Sequence, residues 1–239
     1  MHTRYSYSTQ ERCTTHETPI LYLVDSDTTA VESVEALTSL RGWRVRTAAS
    51  AEEFLAQPRM PVPSCLVLDA HLPGMSGLDL QRALADQPEM PVIFMSARAD
   101  TQTVVQAIRA GAIEFLVKPC AAEVLMSTLA AAIERSREEL QNLVQVRLLE
   151  ERYQSLSHRE RDVMRLVVAG RLNKQVGVEL GITEITVKAH RGRVMRKMRA
   201  RTFAELIGMA SCLPRTATNT LVQLQSFASL RTLEAVSGM

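Results

Sequence analysis

The chain has 239 residues, with 28 Lys and Arg against 26 Asp and Glu, a formal net charge of +2 and 46% hydrophobic residues. Such a length suits two domains of the common size of about 100–150 residues. No apolar run approaches the roughly 20 residues of a membrane span, and the polar start MHTRYSYSTQERCTTHE lacks a signal-peptide core, so a cytoplasmic protein with no membrane partner is expected.

Residues 1–17 read as a flexible tail, after which strands and helices alternate. Short apolar runs predict strands at Ile20 to Asp25, Trp43 to Thr47, Cys65 to Asp69, Pro91 to Ala97 and Phe115 to Lys118. Helical stretches fall between them, at Thr28 to Leu40, Ala51 to Leu55, Gly77 to Ala85 and Thr101 to Ala110. This rhythm predicts a doubly wound, five-stranded parallel sheet of the α/β class over residues 18–128, covered on both faces. Ligands of such sheets bind beyond the carboxyl ends of the strands. Asp25, Ser26, Asp27, Asp69, Ser96 and Lys118 stand there.

That set suits phosphoryl transfer. A carboxylate can attack phosphorus and carry an aspartyl phosphate, carboxylate-held Mg²⁺ offsets the charge repulsion, and a lysine and a hydroxyl can bind the transferred group. Asp69 is the expected phosphoacceptor, because it ends the central apolar strand and precedes the turn AHLPGMSG, whose Pro and Gly residues shape an exposed loop. Cys13, Cys65, Cys120 and Cys212 show neither C-x-x-C pairing nor metal spacing, and the five His residues are scattered, so reduced thiols are expected.

Ala121 to Tyr153 holds no Pro or Gly and is rich in good helix formers. Its first part completes the α/β domain. Residues 129–154 are expected to form a linker helix, on which Leu140, Leu143, Val144 and Leu148 make an imperfect heptad that fits either a solvent-facing linker or, the favoured reading, a weak dimer coil.

An all-α, four-helix domain follows over residues 155–212. Ser157 and Glu160 make a capping box for a first helix that turns Val163, Leu166, Val167 and Ala169 inward and stops at Gly170. Asn173 is expected to cap a short second helix ending at Gly181, and Thr183 to cap a third; the pair is a helix-turn-helix. With Val187, Val194 and Met198 in the core, the third helix shows Lys188, Ala189, Gly192, Arg193 and Arg196 outward. These, together with Lys174, Thr183 and Thr186, are the candidate DNA contacts, while His190 and Arg191 fall nearer the core. Gly192 costs about 1 kcal/mol relative to Ala within a helix, which implies close approach by something outside. Thr202 and Glu205 make a second capping box, opening a helix whose Leu206, Ile207 and Met209 serve the core or a dimer contact. Residues 213–239 read as a C-terminal extension.

Charge divides between the two halves. Thr18 to Ser127 carries 8 basic and 13 acidic residues, net −5, whereas Leu156 to Cys212 carries 12 against 5, net +7. A concentrated positive region is what phosphate neutralisation on double-stranded DNA requires.

LVLDAHLPGMSGLDL, IFMSA and AGAIEFLVKP resemble the receiver domain of two-component response regulators, and SHRERDV with NKQVGVELGITEITVKAHRGRVMRKM resembles the LuxR-type helix-turn-helix. Together they resemble the NarL/FixJ family of transcription factors. The resemblance implies that a sensor histidine kinase phosphorylates Asp69, with Ser96 the switch hydroxyl, Phe115 the switch aromatic and Lys118 the phosphate-binding lysine. Mg²⁺ would sit on Asp25, Asp69 and the backbone carbonyl of His71. It also implies a homodimer on activation, built through the fourth helix, on an inverted repeat in promoter DNA, with RNA polymerase a further candidate partner.

One position departs from the family pattern. A typical receiver ends its first strand in two adjacent acids, the second touching Mg²⁺; here the pair reads Asp25-Ser26, with Asp27 next. Weakened Mg²⁺ binding and phosphorylation are expected, with Ser26 or a rearranged Asp27 filling the position. Two alternatives stand beside this: a degenerate receiver on a phosphorylation-independent DNA-binding regulator, and a haloacid-dehalogenase-type phosphatase using LYLVDSDTT, with Asp25 as nucleophile and Asp27 as acid/base.

Overall fold

A computed structural model describes residues 18–213. The tail assigned to residues 1–17 and the extension beyond residue 213 lie outside the described residues. The chain divides into two compact units after Asn142.

The first unit is a five-stranded, all-parallel sheet in the order β2-β1-β3-β4-β5, with β1 Ile20–Val24, β2 Arg44–Ala48, β3 Ser64–Leu68, β4 Val92–Ser96 and β5 Glu114–Val117. Alternate residues of each strand face opposite sides. Ile20, Tyr22, Val24, Leu66, Leu68 and Phe94 pack one face under α2 (Ala51–Ala56), α3 (Gly77–Ala83) and α4 (Thr101–Arg109), through Phe54, Leu80 and Ala107. Leu21, Leu23, Cys65, Val67, Ile93 and Met95 pack the other, under α1 (Thr28–Ser39) and the start of α5 (Ala122–Gln154), through Val34, Leu125, Leu129 and Ile133. Burial pushes the Cys65 thiol pKa well up, which keeps it protonated and unreactive. From β1 the chain crosses to β2 on one side and then to β3 on the other, which creates the switch point where such sheets bind ligands.

α5 is a single helix of 33 residues. Leu143, Val144 and Leu148 of the expected heptad are exposed, while Leu149 is buried.

The second unit holds α6 (His158–Val168), α7 (Asn173–Leu180), α8 (Glu184–Met198) and α9 (Phe203–Cys212). Ser157 and Glu160 form the expected box: the Ser157 Oγ accepts from the Glu160 amide at 3.3 Å and the Glu160 carboxylate accepts from the Ser157 amide at 2.8 Å. Several expectations are corrected. Ala169 is exposed at the helix end, not inward. Leu172, not Asn173, holds the extended N-cap position of α7, and only the return half of a box forms, from the Leu172 amide to Gln175 Oε1 at 2.9 Å. Asn173 lies within the helix and accepts a hydrogen bond from Arg191 at 2.7 Å. Thr202 caps α9, but the Glu205 carboxylate accepts from the Arg201 amide, one residue further back. Leu206 is buried among Leu149, Leu156, Met164, Val194 and Met198, which removes it from the dimer candidates; Ile207 stays exposed and Met209 is half-buried. Leu213, placed in the extension, is buried in the same core. No helix among the described residues is long and apolar enough to cross a membrane.

Candidate functional site

The parallel register brings the acids together. Val24 pairs with Leu68 across β1 and β3, and the Asp69 amide donates to the Val24 carbonyl at 3.0 Å, so Asp25 and Asp69 leave neighbouring strands side by side. On the other flank the Lys118 amide donates to the Ser96 carbonyl at 3.0 Å, which fixes Lys118 beside Ser96.

The side chains then converge. Lys118 Nζ lies 2.5 Å from Asp25 Oδ2 and 3.7 Å from Asp69 Oδ2, with the Asp25 side chain fully buried and those of Lys118 and Asp69 14% and 13% exposed. Ser96 Oγ donates to Asp69 Oδ1 at 2.6 Å and lies 3.3 Å from His71 Nδ1. The His71 amide also donates to Asp69 Oδ1, at 3.0 Å. Two carboxylates and one ammonium leave the cluster one negative charge in excess. Phe115 is half-buried and stacks on Phe94 with ring centroids 5.6 Å apart, against the core rather than solvent.

The acids at residues 25 and 27 have different jobs. Asp25 Oδ1 accepts from the Asp27 amide at 2.9 Å, and Asp27 Oδ1 in turn accepts from the amides of Thr29 and Ala30 at 3.0 and 3.4 Å. Asp27 is therefore the N-cap of α1, and its Oδ1 is engaged by the amides of that helix's first turn. Ser26 is exposed. Among the described residues no group of three or more acidic, His or Cys side chains is gathered to hold a metal. Asp25, Asp69 and a backbone carbonyl still form an all-oxygen donor set with the one or two carboxylates that Mg²⁺ commonly uses, so the residues fit a sparse Mg²⁺ site.

Gly77 underlies this cluster and escapes a reading of the sequence alone. A Cβ on it would stand 2.2 Å from the Asp69 carbonyl oxygen and 3.0 Å from Ala70 Cα, so only glycine lets α3 start against the strand end carrying Asp69. No periodicity signals this; only the tertiary approach of the loop does.

In the second unit the outward face of α8 is as expected. Lys188, Ala189, Gly192, Arg193 and Arg196 are exposed, as are Lys174, Thr183 and Thr186, while Val187, Val194 and Met198 are buried. The Thr183 Oγ1 accepts from the Thr186 amide at 3.2 Å, and the two hydroxyls are 2.8 Å apart. Lys188, Arg193 and Arg196 form no ion pair among the described residues. Arg191 is structural: besides Asn173, its guanidinium lies 5.1 Å from the Phe203 ring centroid. A Cβ on Gly177 would lie 2.7 Å from the Ile182 carbonyl oxygen, a second close approach, which makes the tight turn between α7 and α8. Gly192 has open space around it, so nothing within the domain requires glycine there.

An acidic pocket at the switch point of one domain and a capped, basic helix-turn-helix in the other are matched by two family models. That of the response regulator receiver domain covers residues 21–130, and that of the bacterial regulatory proteins of the luxR family covers residues 154–210. The chain belongs to the NarL/FixJ family of two-component response regulators. Nodulation protein W of Bradyrhizobium diazoefficiens is 42% identical over 84% of this chain and 89% of its own length. Response regulator protein TodT of Pseudomonas putida is 38% identical over 85% of this chain and 90% of its own. The solved structure of the response regulator StyR superposes with a TM-score of 0.68 at 37% identity, covering 82% of this chain and all but 1% of that one. This response regulator thus joins a receiver to a LuxR-type DNA-binding domain, the architecture of a transcription factor and not of an enzyme, which sets the phosphatase alternative aside.

Proposed function

We propose that the chain is a cytoplasmic transcription factor in which Asp69 accepts a phosphoryl group from a sensor histidine kinase and α8 reads promoter DNA. The domains run over residues 18–128 for the receiver, 129–154 for the linker helix and 155–212 for DNA binding, with Leu213 added to that last core. The convergence of Ser96, Lys118 and Asp25 on Asp69 carries this proposal. Asp69 supplies the nucleophilic oxygen, Lys118 and Ser96 bind the transferred group, and stacked Phe115 couples the site to the neighbouring surface. Receiver domains generally use Mg²⁺ at the phosphorylation site; here Asp25, Asp69 and the His71 carbonyl would hold it, and it would offset the charge of the incoming phosphoryl group. With Ser26 neutral and Asp27 tied to α1, this metal binds more weakly than at a site with two adjacent acids. The same two residues favour a second function, DNA binding independent of phosphate.

On DNA, Lys188, Ala189, Gly192, Arg193 and Arg196 face the groove, while Lys174 and the helix start at Thr183 and Thr186 face phosphates. Two copies meet through Ile207 and Met209 of α9, and the exposed heptad residues of α5 assist, so that a dimer reads an inverted repeat. RNA polymerase is a further partner.

Acetyl phosphate with Mg²⁺ tests the input. Phosphate incorporation is expected in wild type, several-fold faster in Ser26→Asp, and lost in Asp69→Asn. Equal rates in wild type and Ser26→Asp overturn the weakened metal site, and incorporation that survives Asp69→Asn overturns the acceptor. If promoter affinity is the same in wild type and Asp69→Asn, with or without the phosphodonor, the phosphate-independent function holds instead.

A further inference from the structure

The groove face of α8 carries one residue that charge and capping do not explain. Ile185, the second residue of the helix, is 83% exposed. A β-branched apolar side chain there neither packs on the domain nor favours the helix. Counting about 100° per residue from the core residue Val187, Ile185 stands at about 160°, Gly192 at about 140°, Arg196 at about 180° and Ala189 at about 200°. Ile185 and Ala189 thus lie one above the other, about 6 Å apart along the axis, opposite the core. Lys188 immediately precedes Ala189, and Arg193 and Arg196 follow it one and about two turns further along the helix. An apolar spot with cations following it along the helix, at the N-terminal end of the helix whose first residues reach base edges in a helix-turn-helix, fits one feature of duplex DNA. The thymine C5-methyl is the apolar group that the major groove displays, between two anionic phosphate rails.

We propose that Ile185, with Ala189 one turn on, is a specificity-determining residue that contacts thymine methyl groups. The proposal rests on α8 being the groove helix. The spacing of about 6 Å, against about 3.4 Å per base step, puts the two contacts within two base steps, so each half-site should require thymine at one position or at two positions no more than two steps apart.

The full-length protein, with and without acetyl phosphate, is used to select duplexes from a random-sequence pool, and each thymine of the selected site is then replaced by deoxyuridine, which pairs alike but lacks the methyl. Loss of one methyl is expected to weaken wild-type binding about four-fold, equivalent to about 0.8 kcal/mol, at one or two positions per half-site. Ile185→Ala should bind thymine and deoxyuridine duplexes equally at the position Ile185 reads. Its salt dependence should stay as in wild type, since no phosphate contact is removed, whereas Arg193→Ala should lower the salt slope by about 1. Exposure of Ile185 keeps the substitution clear of the core, and unchanged circular dichroism checks it. If selected sites show no deoxyuridine effect in wild type, or the same effect in Ile185→Ala, the Ile185 contact is overturned while α8 remains the groove helix. If no duplex is selected, the groove assignment of α8 falls and the contact with it.

Discussion

Replacing Lys118 by Met removes the one cation from a pocket that holds two carboxylates. At an effective dielectric of about 20, the ammonium attracts Asp25 at 2.5 Å by about 6–7 kcal/mol and Asp69 at 3.7 Å by about 4–5 kcal/mol. Desolvation of all three groups offsets most of that gross attraction. Breaking a buried pair by removing one partner costs about 3–5 kcal/mol, because the other charge is left uncompensated; with Lys118 still 14% exposed, about 3 kcal/mol is expected. Trp43 is the chain's single tryptophan and packs, partly buried, on the receiver core, so its fluorescence reports unfolding of that unit within the full-length protein. Against a urea slope of about 1.5–2 kcal/mol per M, the midpoint of Lys118→Met should fall by about 1.5–2 M at pH 7. Adding Asp25→Asn removes the stranded buried charge and should recover at least half the loss. Mg²⁺ should raise the midpoint of Lys118→Met more than that of wild type, since the metal replaces the missing positive charge. A Lys118→Met midpoint equal to wild type, or a double variant that unfolds earlier than the single one, refutes this account of the pocket.

Glu160 supports the second unit in a pH-dependent way. The hydrogen bond from Lys197, at 2.7 Å, and then that from the Ser157 amide hold its carboxyl below the ordinary value of 4.5. A depressed folded pKa means that the stabilisation is present above about pH 4.5 and is lost as pH falls through the lowered value. Glu160→Gln should therefore lower stability by about 2 kcal/mol at pH 7, with the difference shrinking toward pH 3, as read by urea unfolding of the helical circular dichroism; a difference that is equal at both pH values contradicts the linkage. Gly77→Ala should cost about 1–3 kcal/mol by overpacking against backbone and slow phosphate incorporation at Asp69 several-fold, since the atom it strikes is the Asp69 carbonyl oxygen; an unchanged Trp43 midpoint together with unchanged incorporation rules that clash out.

The sheet was legible because β1, β3 and β4 are short, largely apolar runs buried along their whole length, and Asp25, Asp69, Ser96 and Lys118 were legible because each stands as a polar residue at the end of a strand, where the chain must leave the sheet. The caps at Ser157 and Thr183 were legible because their partners lie three residues away. What stayed hidden depended on contacts distant in sequence. Asn173 has the chemistry of a cap, yet Arg191, 18 residues on, draws its side chain into the domain, and the N-cap geometry falls to Leu172. Leu206, Ile207 and Met209 are alike in composition, and only the packing of α9 decides that Leu206 goes inward. Asp27 is the instructive case, since an acid two residues past the strand could serve the pocket or the next helix. Its amide partners, Thr29 and Ala30, are local and present whenever α1 forms, so capping competes with any reach toward a metal. The pocket therefore keeps a charge of −1 balanced around Lys118, whereas an acid at position 26 would raise it to −2 and strengthen the pull on a divalent cation. The outward face of α8 rests on the second unit's own caps and core. Under the proposed function, a weaker phosphate input at Ser26 leaves that face intact, so Ser26→Asp is expected to change the phosphate response and not the sequences selected from a random duplex pool.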